Sequence, residues 1–338
     1  MEKLVFDRRY FEHLYNCSHF TQAEWKSFGK VNIPIGVSYI TIGIIYEILY
    51  IPLMIVMLKK EFIQNSCYKI MFLLGIIDII AVFCNSLMSG YFSLVGAVYC
   101  THPTLVYMVG VFSPSSWCGA CATVLLLAFN RFLDLVSPYY SELLFNGKRT
   151  FIWLILPGLY WFYFWFIDLP CIYSSIASAC FFDPFFGVSF PRNEWEYANW
   201  GLTFNNVAII LALSGMYIAI ISALIAKTRM STAATAIQRN TILQAFLICT
   251  LCFIASAIYV CMQYLPTPPF VIILGQIFWQ ASHGGAVFIY LIFNKALRKG
   301  LIKLIVPEKI EKRLAKVTFF SNVTVLSRNT ASAQLSAI

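Results

Sequence analysis

Charge is what this sequence has least of. Only 12% of its 338 residues are Asp, Glu, Lys or Arg, against roughly 25% in soluble domains. Acids are the scarcer kind, 15 against 24 basic residues, and there are four histidines. Length alone would allow two or three soluble domains, but so few charges cannot clothe them. No repeat of fixed period and no pair of inverted halves is visible. The first 30 residues are charged and carry no apolar signal-peptide core, so no cleaved leader is expected and the first apolar run must act as its own insertion signal. The last apolar run holds no lysine before Lys295, which removes the buried amine that a retinal Schiff base needs. No convergent nucleophile–base set accompanies the histidines, so no enzyme is expected.

What is present is apolar: 60% of residues, with a mean hydropathy of +0.75. Crossing a bilayer takes about 20 such residues. Seven runs qualify, at 33–58, 70–95, 104–130, 151–174, 203–226, 242–264 and 270–294. The expected fold class is therefore all-α, a seven-transmembrane helix bundle at 33–294. A segment at 1–32 precedes it and a tail at 295–338 follows it. An odd number of spans puts the two termini on opposite sides. With the N-terminus outside, only Lys3, Arg8, Arg9, Lys26, Lys30 and Arg192 of the 24 basic residues are outside. Lysine and arginine collect on the cytoplasmic side, so an extracellular N-terminus and a cytosolic C-terminus are expected. A net charge of +9 gathered on one side suits anionic lipid and argues against a nucleic-acid partner.

Four cysteines then fall outside: Cys17, Cys100, Cys171 and Cys180. In an oxidising compartment they allow three full pairings. A bridge from Cys100, at the start of the third run, to the second outer loop would tether that loop over the bundle. Cys180 is the first choice of partner and Cys171 the alternative. Cys118-x-x-Cys121 and Cys249-x-x-Cys252 imitate zinc spacing, but no ligand-bearing loop accompanies them. Small buried thiols explain them better, so no metal and no cofactor are expected. The second outer loop is aromatic, with Phe181, Phe182, Phe185, Phe186, Trp195, Tyr197 and Trp200, and reads as a lid or as an interfacial aromatic belt; a lid with some interfacial contact satisfies both.

Polar residues inside spans mark function by default. Glu47, Asp78 and Asn85 form the expected polar network of the bundle, and Asp78, Asn85 and Ser89 share one helical face. In the seventh run Gln276, Gln280 and His283 follow the i, i+4, i+7 pattern, with Trp279 beside them. Ser113 and Trp117 lie in the outer half of the third. The same residues would serve equally as interhelical glue, worth about 0.6–2 kcal/mol each. The third run ends in Asn130-Arg131-Phe132, with Asp134 after it. An arginine at the mouth of a span is costly, which marks a place where a signal can leave the membrane.

Asn130-Arg131-Phe132, with Pro138 following, resembles the Asp/Glu-Arg-Tyr segment of rhodopsin-like G-protein-coupled receptors. Asp78 in Leu74-Gly75-Ile76-Ile77-Asp78 resembles their span-2 aspartate. Cys67-Tyr68-Lys69-Ile70-Met71-Phe72, Phe145-Asn146-Gly147-Lys148-Arg149-Thr150, Phe181-Phe182-Asp183-Pro184-Phe185, Met262-Gln263-Tyr264-Leu265-Pro266-Thr267-Pro268 and Trp279-Gln280-Ala281-Ser282-His283-Gly284 are together similar to the nematode serpentine chemoreceptors of class T. That resemblance spans about 35 to 300. It implies a multi-pass plasma-membrane receptor of sensory neurons, coupled to a heterotrimeric G protein. Ser113, Trp117, Gln276, Trp279, Gln280 and His283 would then face a small-molecule ligand, mainly neutral because the outer half of the third span has no carboxylate. Asn130, Arg131 and Asp134 would meet the G protein. Departures matter too. Asn130 replaces the usual acid, so the arginine's acidic partner is absent or supplied by Asp134. The seventh run lacks Asn-Pro-x-x-Tyr, and the sixth has no proline at its middle.

A small-solute transporter is the alternative. It would show inverted repeats and paired midplane charges, for which Glu47 and Asp78 are the only support. In the tail, Lys295 to Lys316 is basic with Leu297, Leu301, Leu304 and Ile305 at helical spacing, and is expected to lie on membrane lipid. Ser and Thr recur from Thr318 to Ser336 as phosphorylation candidates. Ser336-Ala337-Ile338 fits a C-terminal ligand of a PDZ-domain protein.

The orientation has a direct test. Asn16-Cys17-Ser18 and Asn322-Val323-Thr324 are both N-glycosylation sequons, but only Asn16 is on the expected outer side. A glycosidase mobility shift should vanish in Asn16→Gln and persist in Asn322→Gln. The reverse pattern would invert the topology.

Overall fold

The computed structural model describes residues 8–228 and 235–305. Among these the regular structure is helical apart from one two-stranded hairpin. Each of the seven apolar runs overlaps a helix. α1 is Ile33–Met57. α2 is Ser66–Val95, interrupted by a π-helical turn at Phe83–Met88. α3 is Pro103–Val136, α4 Arg149–Ile167, α5 Trp200–Thr228 and α6 Thr235–Tyr264. α7 comprises Pro269–Gly284 and Ala286–Phe293, bent by 46°, and α8 is Lys295–Ile305. By length and composition α1 to α5 can cross a membrane, and α7 is a sixth if its two halves are one span. α6 carries a shorter apolar stretch, Phe246–Met262.

Local chemistry sets the helix ends. Asn32, Asn65, Asn199 and Asn294 each turn a side-chain oxygen onto a free backbone N–H at the start of α1, α2, α5 and α8, as helix N-caps do. Gly96 closes α2 with φ +64°. α4 stops at Ile167, well short of the expected 174. Pro170 disfavours a helical Leu169, and Asp168 turns out to accept from Asn199 Nδ2 at 2.8 Å. α3 instead outruns its expected end at 130, so Arg131 and Asp134 sit on a helix.

α3 runs through the middle, packed on α2, α4 and α5. α1 and α2 touch backbone to backbone at Gly36 and Gly90. A Cβ on Gly36 would come within 2.9 Å of the Gly90 carbonyl oxygen, and one on Gly90 within 2.8 Å of that of Gly36. Small residues allow such approach where lipid supplies no hydrophobic drive. α8 leaves the bundle with Leu297 buried, and Gly300 lies against Val56 of α1. The rest of the expected tail helix, Asn322, the Ser/Thr stretch and Ile338 lie outside the described residues.

One end of the bundle is capped. Short helices at Arg8–Leu14 and Gln22–Phe28 lie there with a hairpin of β1, Ile172–Ser174, and β2, Ala179–Phe181. The strands pair antiparallel, Tyr173 opposite Cys180. Cys171 N–H donates to the Gly110 carbonyl at 2.9 Å and Ser175 N–H to that of Ala97 at 2.9 Å, so the hairpin rests on α3 and on the end of α2. Asp183 holds Arg192 at 2.6 Å. Trp25 is buried and donates Nε1 to the Cys17 carbonyl at 2.9 Å. Phe185 stacks on Trp25, which puts the aromatic loop in the cap.

The expected disulfide is corrected. Cys100 is bonded to Cys17, not to Cys180 or Cys171, which are free and buried. The N-terminal segment lies against Cys100: Gln22 Nε2 donates to the Cys100 carbonyl at 3.2 Å, and Trp25 Nε1 holds the Cys17 carbonyl. The bond from Cys171 to Gly110 sets that thiol farther along α3. Its burial pushes the Cys171 thiol well above its ordinary pKa, so it stays protonated. Asn16, next to the bridge, is exposed.

Loss of the bridge has a measurable cost. Cys17→Ser and Cys100→Ser should each destabilise the purified protein by about 2–4 kcal/mol, and the double variant should be no worse than either single. Alkylation before reduction should spare both cysteines. Labelling of Cys100 in the untreated protein, with thermal unfolding unchanged in Cys17→Ser, would remove the bridge.

Candidate functional site

Among the described residues a buried polar constellation lies where α1, α2 and α7 meet. Asp78 is 2% exposed. A lone carboxylate there would be prohibitive, so both its oxygens are engaged. Oδ1 lies 2.7 Å from His283 Nδ1 and Oδ2 accepts from Tyr50 OH at 2.7 Å. Tyr50 OH also lies 3.2 Å from the His283 carbonyl. Three helices are thus tied at one point.

A second tie lies nearer the cap. The π turn of α2 contains Asn85, whose carbonyl accepts two bonds, from Gln276 Nε2 and Gln280 Nε2, each at 2.9 Å. A π turn displaces the normal ladder and turns a carbonyl out of it, and two amides one helical turn apart on α7 meet it. Asn85 itself is fully buried, but it joins the network through its backbone; its Nδ2 has no partner among the described residues. Glu47 is half-buried with Oε1 likewise unpartnered, so it stands beside the network rather than within it.

The residues expected to face a ligand therefore divide. Gln276 Nε2, Gln280 Nε2 and His283 Nδ1 make helix-to-helix bonds, while Gln280 Oε1 and His283 Nε2 have no partner among the described residues. Ser113 is buried with no partner for its hydroxyl among the described residues. Trp117 and Trp279 do line a cavity, together with Pro114, Cys171, Leu202, Asn206 and Tyr259. Trp117 donates Nε1 to Asn206 Oδ1 at 2.7 Å, its ring meets His283 edge-on at 5.8 Å, and Tyr259 meets Trp279 in the same manner at 5.2 Å. The cavity holds only about 10 Å³, roughly one water. None of its walls is charged. Asn206 and Tyr259 were legible as polar groups in apolar runs; Cys171 comes from the hairpin, and no sequence spacing places it here.

Arg131 is at the opposite end. It reaches Asp134 Oδ2 at 3.4 Å and packs against the Cys67 thiol, with its side chain 21% exposed. Asp134 also accepts from Ser141. Asn130 is fully buried and donates Nδ2 to Ser66 Oγ at 3.2 Å, so it joins α3 to α2 and leaves the acidic partnership to Asp134. Among the described residues no group of three or more His, Cys, Asp or Glu gathers to hold a metal.

Comparison with known proteins gives the arrangement relatives. The family model described as serpentine type 7TM GPCR chemoreceptor Srt matches residues 4–314. Serpentine receptor class T-55 of Caenorhabditis elegans is 28% identical over 321 residues, which is 93% of this chain and 87% of that protein. The crystal structure of squid rhodopsin superposes with a TM-score of 0.61, covering 86% of this chain and 90% of that one at 14% identity, a likeness of fold.

The doubled bond on Asn85 predicts non-additivity. Gln276→Met or Gln280→Met alone leaves the carbonyl one donor and should cost about 1 kcal/mol. The double variant strips both, and should exceed the sum of the singles by about 1 kcal/mol. Thermal unfolding of the purified variants reads this, and strict additivity would contradict it.

Proposed function

The chain belongs to the class T serpentine chemoreceptors, and on that footing we propose that it detects a small, mainly neutral molecule at the cell surface of a sensory neuron and signals to a heterotrimeric G protein. The capped end faces out and Arg131 faces the cytosol, as the distribution of lysine and arginine favours. The observation that carries the ligand class is the uncharged cavity between Trp117 and Trp279. An ammonium placed there would be stranded without a counterion, whereas two indoles, a phenol and an amide suit a neutral aromatic or carbonyl compound.

At about 10 Å³ the cavity is shut, so binding selects a state in which α3 and α7 stand apart around the two tryptophans. That is a population shift between bundle arrangements. The Trp117–His283 contact supports transmission along α7. The weak Arg131–Asp134 pair, 3.4 Å long and partly exposed, supports a cytosolic end that opens readily, since such pairs are worth about 0–1 kcal/mol.

Arg131→Ala should leave surface abundance near normal and abolish G-protein activation in cells that respond to a neutral odorant panel. Equal signalling at matched surface levels would remove the arginine's role. Trp117→Ala should lower potency by about tenfold or more, the loss of one aromatic contact and its hydrogen bond. A panel in which only amines activate would overturn the ligand class.

A further inference from the structure

Among the described residues a hollow opens sideways, into the surface that faces lipid. It is a groove of about 620 Å³ between α3, α4 and α5. Leu125, Leu126, Phe129, Trp153 and Met216 wall it, and Ala122, Ala208 and Ala212 hollow it out. α4 and α5 present their outer faces to hydrocarbon; Leu156, on the rim, is 59% exposed. Acyl chains alone would suit a purely apolar groove. This one ends in a polar pair: Tyr160 OH donates to Asn205 Oδ1 at 3.2 Å, and both residues line it.

The pair lies inside the bilayer span, five residues into α5 and seven from the end of α4, or about 8–10 Å below the capped end at 1.5 Å per residue. A polar group at that depth is expensive unless something meets it. The Tyr160 oxygen donates its proton to Asn205 and has lone pairs to spare for a donor. From Asn205 to Met216 the groove continues toward the Arg131 end for about 16 Å by the same rise, apolar throughout. One hydrogen-bonding head and one apolar tail are the complement of this shape.

The polar end also connects inward. Asn205 Nδ2 donates to Asn206 Oδ1 at 3.2 Å, the same oxygen that accepts from Trp117. Whatever bonds to Tyr160 is therefore three side chains from the tryptophan that lines the inner cavity.

We propose that the α3–α4–α5 groove is a second ligand site, filled from the membrane by a neutral monohydroxy lipid whose hydroxyl donates to Tyr160 and whose chain lies along Ala208 and Ala212. The site is separate from the Trp117–Trp279 cavity and does not depend on which molecule, if any, enters there.

The test uses the full-length protein in phosphatidylcholine nanodiscs and two photoreactive probes, a diazirine-bearing long-chain alcohol and the matching alkane without hydroxyl. Crosslinks are mapped by mass spectrometry. The alcohol should mark peptides containing 122–129, 153–160 and 205–216 and be displaced by unlabelled alcohol but not by unlabelled alkane. Tyr160→Phe should reduce that labelling by about five- to tenfold, the loss of one hydrogen bond, and Ala212→Phe should block it by filling the groove. Ala208→Leu fills it from a second position if Ala212→Phe fails to fold. Equal labelling by both probes, labelling spread evenly around the lipid-facing helices, or labelling indifferent to Tyr160→Phe would each mean that bulk acyl chains cover the groove, and would overturn the proposal.

Discussion

The contact on which the rest depends is the bond between Asp78 and His283. A carboxylate at 2% exposure and an imidazole at 1% face each other in a part of the protein that neither water nor lipid can satisfy. Each is tolerable because of the other, with Tyr50 taking the second carboxylate oxygen. Removing one member of such a pair strands the other, which is typically worth about 3–5 kcal/mol. The pair therefore fixes the relative height of α2 and α7, and Tyr50 adds α1. With that height set, the Asn85 carbonyl comes level with Gln276 and Gln280, and Trp117 comes edge-on to His283. Gly284, next in the chain, lies so close to the Tyr46 ring that a Cβ would stand 2.0 Å from it, so the same junction excludes any larger residue.

Around this anchor the protein has two unlike ends. The capped end carries a disulfide, a hairpin bonded to α3 and α2, and aromatic packing from Trp25 to Phe185. At the Arg131 end a long, partly exposed ion pair is joined by the bond from Ser141 to Asp134, an amide-to-hydroxyl bond, and the bond from Lys69 to the Gly147 carbonyl. A receptor whose signal must emerge at one end while its other end recognises a molecule has use for such an asymmetry.

The helices were legible in the sequence because apolar length is a strong signal, and each run found its helix. The inward stripe of Asp78, Asn85 and Ser89 was legible too, since a 3.6-residue period places them on one face, and all three are buried. What those residues bond to was not. Asn85 acts through its backbone because of a π turn, and no residue type announces such a turn. His283 and the two glutamines have the spacing of a ligand face, and the same spacing serves the helix-to-helix bonds they make to α2, which only their neighbours on that helix reveal. The Cys17–Cys100 pairing is not singled out by the sequence because it depends on how a short segment docks, which the buried Trp25 fixes. Tyr160 and Asn205 sit on different helices and become a site only when α4 meets α5.

The account stands on Asp78 and His283 acting as a unit, and a double-mutant cycle measures that directly. Asp78→Asn, His283→Gln and the combined variant would be purified and unfolded thermally beside the unaltered protein. A bonded buried pair predicts a coupling energy of about 2–3 kcal/mol, at the upper end for residues in contact, with the double variant much less destabilised than the singles added together. Singles that add within about 0.5 kcal/mol, as independent sites do, would show that the two side chains do not hold the bundle together.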